Sequence, residues 1–343
     1  MTLRPTHHLT LPIAGATGPF PLPRKRRRGK RTGHVTLPSE ARRLTAPPGG
    51  AFHYLKAGDG TRLRTAAWAA PGEARGTVAL LTGRNEFIEK YFETIADLQD
   101  RGFNVHMMDW RGQGLSGRPL ANRMKGHVRD FTDYMDDLEL FVGAIAAPNL
   151  IVVAHSMGGH IVLRALAERP ALRRKVSGAV VSAAMLGINT GRFSATTARR
   201  LARSLSRAGL RGAQAPSPKE SGTGFNVLTS DPDRAGDQAW FIAQEPRLAL
   251  GSPTFGWLDA AFRSVAAIDL PGALEAIDVP VMLAVAGADQ VVSPAAQRHA
   301  ATRLRRATLV EIEGSRHEIL KERDEFRGQF WAAFDDWVRC AVT

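Results

Sequence analysis

Few features bind a chain to one architecture as tightly as a wholly apolar run that ends at a serine between small residues and then turns helical. Residues 150–154 read LIVVA with no polar alternation, the pattern of a strand covered on both faces of a parallel sheet. His155, Ser156, Met157, Gly158 and Gly159 follow, and then Ile161, Leu163 and Leu166 fall at helical spacing. A sharp turn at such a junction lifts a serine hydroxyl above the end of the sheet, and small residues two before and two after it let strand and helix approach. Gly158 fills one of those positions. Ala154 fills the other, where glycine is usual, so one extra methyl must be housed.

The rest of the chain alternates in the same way. FHYLKAG and TRLRTAAW flank the turn pair Asp59 and Gly60 and read as an opening hairpin. TVALLTG (77–83) is a strand, followed by helical spacing at Phe87, Tyr91, Ile95 and Leu98. NVHMMDW (104–110) is another, then an RGQGLSG loop and a helix through Tyr134, Leu138, Phe141 and Ile145. After GAVVSAAM (178–185) the rhythm breaks for about eighty residues rich in Arg, Gly and Pro. It resumes with VPVMLAVAGADQVV, a helix near 295–304, the strand ATLVEIEGSRH and a closing helix over 322–339. The alternation predicts an α/β fold with a mostly parallel, doubly wound sheet built from residues 51–186 and 265–343. Residues 187–264 are expected to form an irregular cap inserted over the C-terminal ends of the strands.

The formal net charge is +13, but residues 1–43 carry +9 of it, including the run RKRRRGKR at 24–31. Composition therefore predicts a disordered basic arm over residues 1–50, read either as a solvated tail or as a clamp on anionic lipid or RNA. The remaining body is only mildly basic, so no specific nucleic-acid partner is expected. The single cysteine, Cys340, can supply neither an internal disulfide nor a cysteine-based metal cluster. No apolar run approaches the ~18 residues of a membrane span, and no apolar segment follows the basic cluster as a secretory signal requires. A cytoplasmic protein is expected, at most peripheral to the inner face of the membrane.

A serine is a weak nucleophile until a base takes its proton and an acid orients that base. His317, in EGSRHEIL, follows the last predicted strand, and Asp289, in GADQVV, ends the strand before it. Their order, Ser156 then Asp289 then His317, is the one such a sheet requires. His155 adjoins the serine but must leave the turn in another direction, and His106 lies within a strand, so both read as packing residues. His127, His160 and His299 have no acid at a strand end beside them. Asp278 lies at the wrong edge of its strand, and Asp109 precedes the nucleophile in the chain. The oxyanion formed in acyl transfer needs donors as well. The backbone N–H of Met157 and that of Arg84, in the loop after TVALLTG, are the candidates, with Thr82 standing where histidine is usual. No metal or cofactor is called for.

With these residues in hand, the chain resembles the monoacylglycerol lipase and bacterial lysophospholipase branch of the α/β-hydrolases, a serine aminopeptidase-like family. The likeness runs from about residue 54 to 338. It is most specific in GRNEFIEKYFETIADLQDRGFNVHMMDWRGQGLSGR and GHVRDFTDYMDDL, with NVLTSDPDRA and PTFGWLDAA similar in the cap. The resemblance implies an α/β-hydrolase fold and a carboxylic-ester hydrolase acting on single-chain lipids, lysophospholipid or monoacylglycerol, with the triad and oxyanion positions named above. A small-molecule esterase, a peptidase or amidase on the same triad, and a non-catalytic binding protein are the alternatives. Phe225, Trp240, Phe241, Phe255 and Trp257 in the cap either line an acyl pocket, where burial gains about 0.8 kcal/mol per methylene, or form the cap's own core. ATTARRLARSLSRAG (195–209) reads as a basic helix with Leu201 and Leu205 on one side, suited to an anionic interface or to solvent. Head group, chain length and oligomeric state stay open.

Overall fold

The computed structural model describes residues 38–191, 193–216 and 226–341. The first apolar runs form strands β1 (Ala51–Lys56) and β2 (Arg62–Trp68), an antiparallel hairpin. Its turn is closed by Thr61 N–H donating to Asp59 Oδ1 at 3.0 Å, with Gly60 at φ +86°, a conformation that costs glycine nothing. Then come β3 (Gly76–Leu81), β4 (Phe103–Met108), β5 (Leu150–His155), β6 (Gly178–Ser182), β7 (Val281–Ala286) and β8 (Ala307–Ile312). They make one eight-stranded sheet in the order β1-β2-β4-β3-β5-β6-β7-β8. The pairings β1–β2 and β2–β4 are antiparallel and all others parallel.

Burial follows position. Every residue of β5, β6 and β7 is buried, as unalternated runs demand. The edge strands β1 and β8 are largely exposed. On β1, Tyr54 and Phe52 lie beneath the guanidinium groups of Arg62 and Arg64, 4.1 and 4.7 Å from the ring centroids.

The helices are α1 (Pro38–Leu44), α2 (Phe92–Asp100), α3 (Phe131–Ala144), α4 (Met157–Glu168), the single turn α5 (Pro170–Arg173), α6 (Ala195–Leu205), α7 (Pro232–Gln244), α8 (Phe255–Ile268), α9 (Pro294–Arg303) and α10 (Asp324–Ala341). Helix α10 buries Phe330, Phe334 and Trp337. Phe334 meets Phe103 of β4 edge-on at 5.9 Å. Gly178 opens β6 because a Cβ there would come within 2.7 Å of the Trp337 ring. Among the described residues, no helix is long and apolar enough to cross a membrane.

The structure departs from the sequence reading in two places. Helix α1 lies inside the stretch assigned to a disordered arm over residues 1–50, and it is tied to the body. Arg42 pairs with Asp97 and Asp100 of α2, Arg43 pairs with Asp237 of α7, and the Pro47 carbonyl accepts from Trp68 Nε1. Among these acids Asp237 is buried, Asp97 half-buried and Asp100 exposed, so charge alone misassigned the arginines that pair with them. The run at 24–31 lies outside the described residues. The insertion, in turn, carries the basic helix expected within 195–209, as α6, but adds α7 and α8 where irregular chain was expected, and α8 crosses its predicted end to reach Ile268. Each cap helix has a side-chain start signal: Ser194 accepts from Thr197 N–H, Asp231 from Asp233 and Arg234 N–H, and Thr254 from Trp257 N–H.

Strand order also locates the crevice. The chain runs from β3 outward to β4, then returns to lay β5 on the other side of β3, so the winding reverses between β3 and β5. In open sheets of this kind, ligands bind beyond the C-terminal ends of the strands at that reversal. Leu81, the last residue of β3, is in register with Ala154 of β5. The loop after β3 is thereby laid beside Ser156.

Candidate active site

Ser156 sits between β5 and α4 at φ +50°, ψ −114°, a region that costs a non-glycine residue about 1–3 kcal/mol. Its surroundings impose it: Ser156 N–H donates to Ser182 O at 2.9 Å, and its own carbonyl accepts from Met185 and His160 N–H, each at 3.0 Å. Gly158 is needed because a Cβ would lie 2.5 Å from the Thr82 carbonyl, so it makes room for the loop after β3. Ala154, the departure from the usual glycine, is fully buried within the sheet with its methyl housed.

His317 follows β8, and its Nε2 lies 2.9 Å from Ser156 Oγ. Its Nδ1 lies 2.7 Å from Asp289 Oδ2. Because an ionised carboxylate only accepts, Nδ1 carries the proton and leaves the Nε2 lone pair facing the serine hydroxyl. Asp289 is itself held by its other oxygen, Oδ1, which accepts from Val291 N–H at 2.7 Å and Val292 N–H at 3.0 Å. The carboxylate is wholly shielded from solvent. The three residues selected from the sequence are thus brought together in one hydrogen-bonded chain. His155 is not part of it. Its ring packs 4.8 Å from that of His317, and burial pushes its pKa down to about 4, so it is a neutral packing partner.

The loop after β3 passes close to the serine. A Cβ on Gly83 would lie 3.1 Å from Ser156 Cβ and 2.8 Å from Glu86 Oε2, so only glycine fits. Asn85 takes φ +62°. Among the described residues, the N–H groups of Arg84 and Met157 donate to no protein acceptor.

Sequence reasoning missed the residues that hold this loop. Gln113 donates from Nε2 to Gly83 O at 2.7 Å and accepts at Oε1 from Asn85 N–H at 3.2 Å. Trp110 Nε1 donates to Thr82 O at 2.8 Å, and Glu86 accepts from Gly83 N–H. Both Trp110 and Gln113 belong to the WRGQGLSG stretch, whose glycines were a visible signal of a tight turn but named no partner.

Glu86 also accepts from Tyr91 Oη at 2.8 Å and from Lys90 Nζ at 2.9 Å, while Lys90 reaches Glu318 at 2.6 Å and Gln238 of α7 at 3.2 Å. Burial alone would push the Glu86 carboxyl upward, but the Lys90 ammonium, with the Gly83 N–H, outweighs it and holds the group ionised. One buried ammonium therefore joins the loop after β3, the residue after His317 and the cap.

The cap aromatics do not gather into one group. Trp240 is 41% exposed and packs edge-on against Phe241, itself buried against Phe87 and Phe92. Trp257 is buried, donates from Nε1 to Tyr134 Oη at 3.3 Å and tilts against Phe131, which seats α8 on α3. Phe255 is half-buried at the start of α8. No ring contact joins Trp240 to Phe255 or Trp257, and the ring contacts of Phe241 and Trp257 fasten the cap to the core. Phe225 lies outside the described residues.

Comparisons with known proteins agree with this architecture. The Hydrolase_4 (serine aminopeptidase, S33) family matches residues 72–324. Lysophospholipase L2 of Escherichia coli strain K12 is 32% identical over 274 residues, which span 73% of this chain and 76% of that protein. A monoglyceride lipase from Saccharomyces cerevisiae superposes with a TM-score of 0.70 at 20% identity, covering 84% of this chain and 96% of that one. The monoacylglycerol lipase of Paleococcus ferrophilus does so with 0.65 at 25% identity, covering 80% and 98%. On the sheet order, the strained serine and these matches together, the chain belongs to the serine aminopeptidase S33 family of the α/β-hydrolases, among the relatives of lysophospholipases and monoacylglycerol lipases.

Proposed function

We propose that this protein hydrolyses carboxylic esters of single-chain lipids, lysophospholipids or monoacylglycerols, through an acyl-enzyme on Ser156. The observation that carries the reading is the His317 imidazole, hydrogen-bonded at once to Ser156 Oγ and to Asp289. Ser156 Oγ attacks the ester carbonyl carbon as its proton passes to His317 Nε2, and Asp289 stabilises the resulting imidazolium. The carbonyl oxygen, now negative, accepts from the N–H groups of Arg84 and Met157. Collapse expels the glycerol-side alkoxide, which takes the proton from His317. Water then attacks the acyl-enzyme with His317 as base, and the fatty acid leaves. The name of the Escherichia coli relative, a lysophospholipase, supports the lipid substrate.

Two measurements test it. A fluorophosphonate probe should label the wild type and not Ser156→Ala, whose turnover should fall by roughly 10⁴-fold or more. Across lysophospholipids, monoacylglycerols, short nitrophenyl esters and aminoacyl amides, kcat/KM should be highest on the lipid esters; a preference for the amides would overturn the substrate assignment.

Peripheral contact with an anionic membrane is part of the same proposal, through α6. Arg199, Arg200 and Arg203 are exposed there, as are Leu201 on the helix and Phe193 and Leu210 at its two ends. Near an anionic bilayer each cation contributes about 1 kcal/mol, so reversing all three to Glu should weaken partitioning into anionic vesicles at least about a hundredfold. Unchanged partitioning would remove α6 from the interface.

A further inference from the structure

Buried cations in this protein are matched by carboxylates. Arg64 faces Glu89 and Asp109, Arg111 faces Asp137, Arg234 faces Glu93, and Lys90 lies between Glu86 and Glu318. Arg84 breaks the pattern. Its side chain leaves the loop beside Ser156 and enters a slot between the core segment at Gly126 and the cap segment at Gly251. A Cβ on Gly126 would lie 2.7 Å from Arg84 Nη2, so glycine keeps the slot open. The guanidinium lies over the Trp257 ring, 5.4 Å from its centroid, and Nη2 donates to Gly251 O at 2.6 Å. Its Nε is buried with no hydrogen-bond partner, and among the described residues no carboxylate pairs with it. Arg118 also lacks a paired carboxylate and has a buried Nε without a partner, but the carbonyls of Gly112, Gly114 and Arg247 accept from its Nη1 and Nη2.

A guanidinium withdrawn from water without a counter-charge is costly, and here burial pulls its pKa down to about 10. Arg84 as a residue is half-buried, and its Nε is left without a partner inside the slot. An anion placed there would supply both the missing charge and acceptors for a planar fork that suits phosphate. In a lysophospholipid, glycerol carbons separate the ester carbonyl from the phosphate, a span that an extended arginine side chain matches in length. We propose that the Arg84 guanidinium binds the phosphate of a lysophospholipid while the N–H of the same residue receives the ester oxygen, making Arg84 the residue that selects phosphate-bearing lysolipids over neutral monoacylglycerols. This rests on the ester-hydrolase reading above.

The test compares the full chain with Arg84→Met and Arg84→Lys on a lysophosphatidylcholine and a monoacylglycerol of the same acyl chain. Arg84→Met should lose at least about tenfold more kcat/KM on the lysophospholipid than on the monoacylglycerol, mostly through KM. Arg84→Lys, which keeps the charge without the fork, should recover part of that difference. The rate of Ser156 labelling by a fluorophosphonate reports whether the site itself survives. Equal losses on both lipids, accompanied by an equal loss of labelling, would reduce Arg84 to a strap on Gly251 and overturn the assignment. A wild type that cleaves neither lipid would overturn the lipid reading and the inference with it, whereas a wild type that cleaves both with a ratio unmoved by Arg84→Met sinks the inference alone.

Discussion

Gln113 shows how much a single amide can decide at the scale of one residue. Its two ends hold the Gly83 carbonyl and the Asn85 N–H, on either side of the Arg84 N–H proposed to face the oxyanion. Truncating it leaves both backbone groups unpaired and releases a loop in which Asn85 already sits at positive φ. Loss of one oxyanion donor costs ~10²–10³ in rate, and a displaced donor a share of that. Gln113→Ala should therefore lower kcat by roughly tenfold to a hundredfold with KM little changed, as steady-state kinetics on any cleaved ester would show. A variant altered only in KM would place Gln113 in substrate binding instead. Ser156, Asp289 and His317 were legible in the sequence because each ends a strand and the chemistry admits few residue types. Gln113 was not, because its importance lies in which carbonyl it meets across the fold.

Among elements, α7 fastens the cap to the core through buried ion pairs. Arg234 forms two bonds to Glu93 of α2, at 2.9 and 2.8 Å, and a third at 2.6 Å to Asp324 of α10. One turn on, Asp237 pairs with Arg43 of α1 and lies 2.8 Å from Lys321. Removing one partner of a buried pair strands the other, at about 3–5 kcal/mol. Asp237→Ala, which leaves two cations facing each other, should lower unfolding stability by about 3 kcal/mol in urea titrations; a loss below about 1 kcal/mol would mean that water screens the cluster. The start signals of this helix, Asp231 and Pro232, were readable in the chain, as was Thr254 before α8. Of the cap helices α6 was read from the sequence, and what hid α7 and α8 was the Arg-rich, Gly-rich and Pro-rich sequence around them, which masks apolar periodicity. Helix α1 was hidden differently, since its arginines look like those of a solvated tail until their acids are found on α2 and α7.

For the molecule as a whole, buried histidines set the acid limit. Burial pushes His155 down to about 4 and His160 to about 3. Both stay neutral in the fold, whereas the unfolded chain takes up their protons near pH 6.5. The stability they contribute is therefore complete above about pH 6.5 and lost progressively as pH falls toward their folded values, on the order of a few kcal/mol by pH 4. Thermal midpoints should decline from pH 7 to 4, and His160→Gln, which removes one titrating group, should flatten the decline. An unchanged slope in that variant would show that His160 is not among the groups responsible.

By itself the sequence determined the alternation of strand and helix, the strand-to-helix turn at Ser156, and the placing of Asp289 and His317 in the loops after later strands. Those features are written in local windows, where burial on one or two faces imposes its own period. Tertiary structure alone decided that the winding reverses between β3 and β5, that the register of Leu81 with Ala154 lays the loop after β3 beside the serine, and that Lys90 ties that loop to the cap. It also decided that Trp257 packs beneath Arg84 and that the buried Arg84 guanidinium meets no acid among the described residues. Such pairings depend on which distant surfaces meet once the core has closed, and no local period records them.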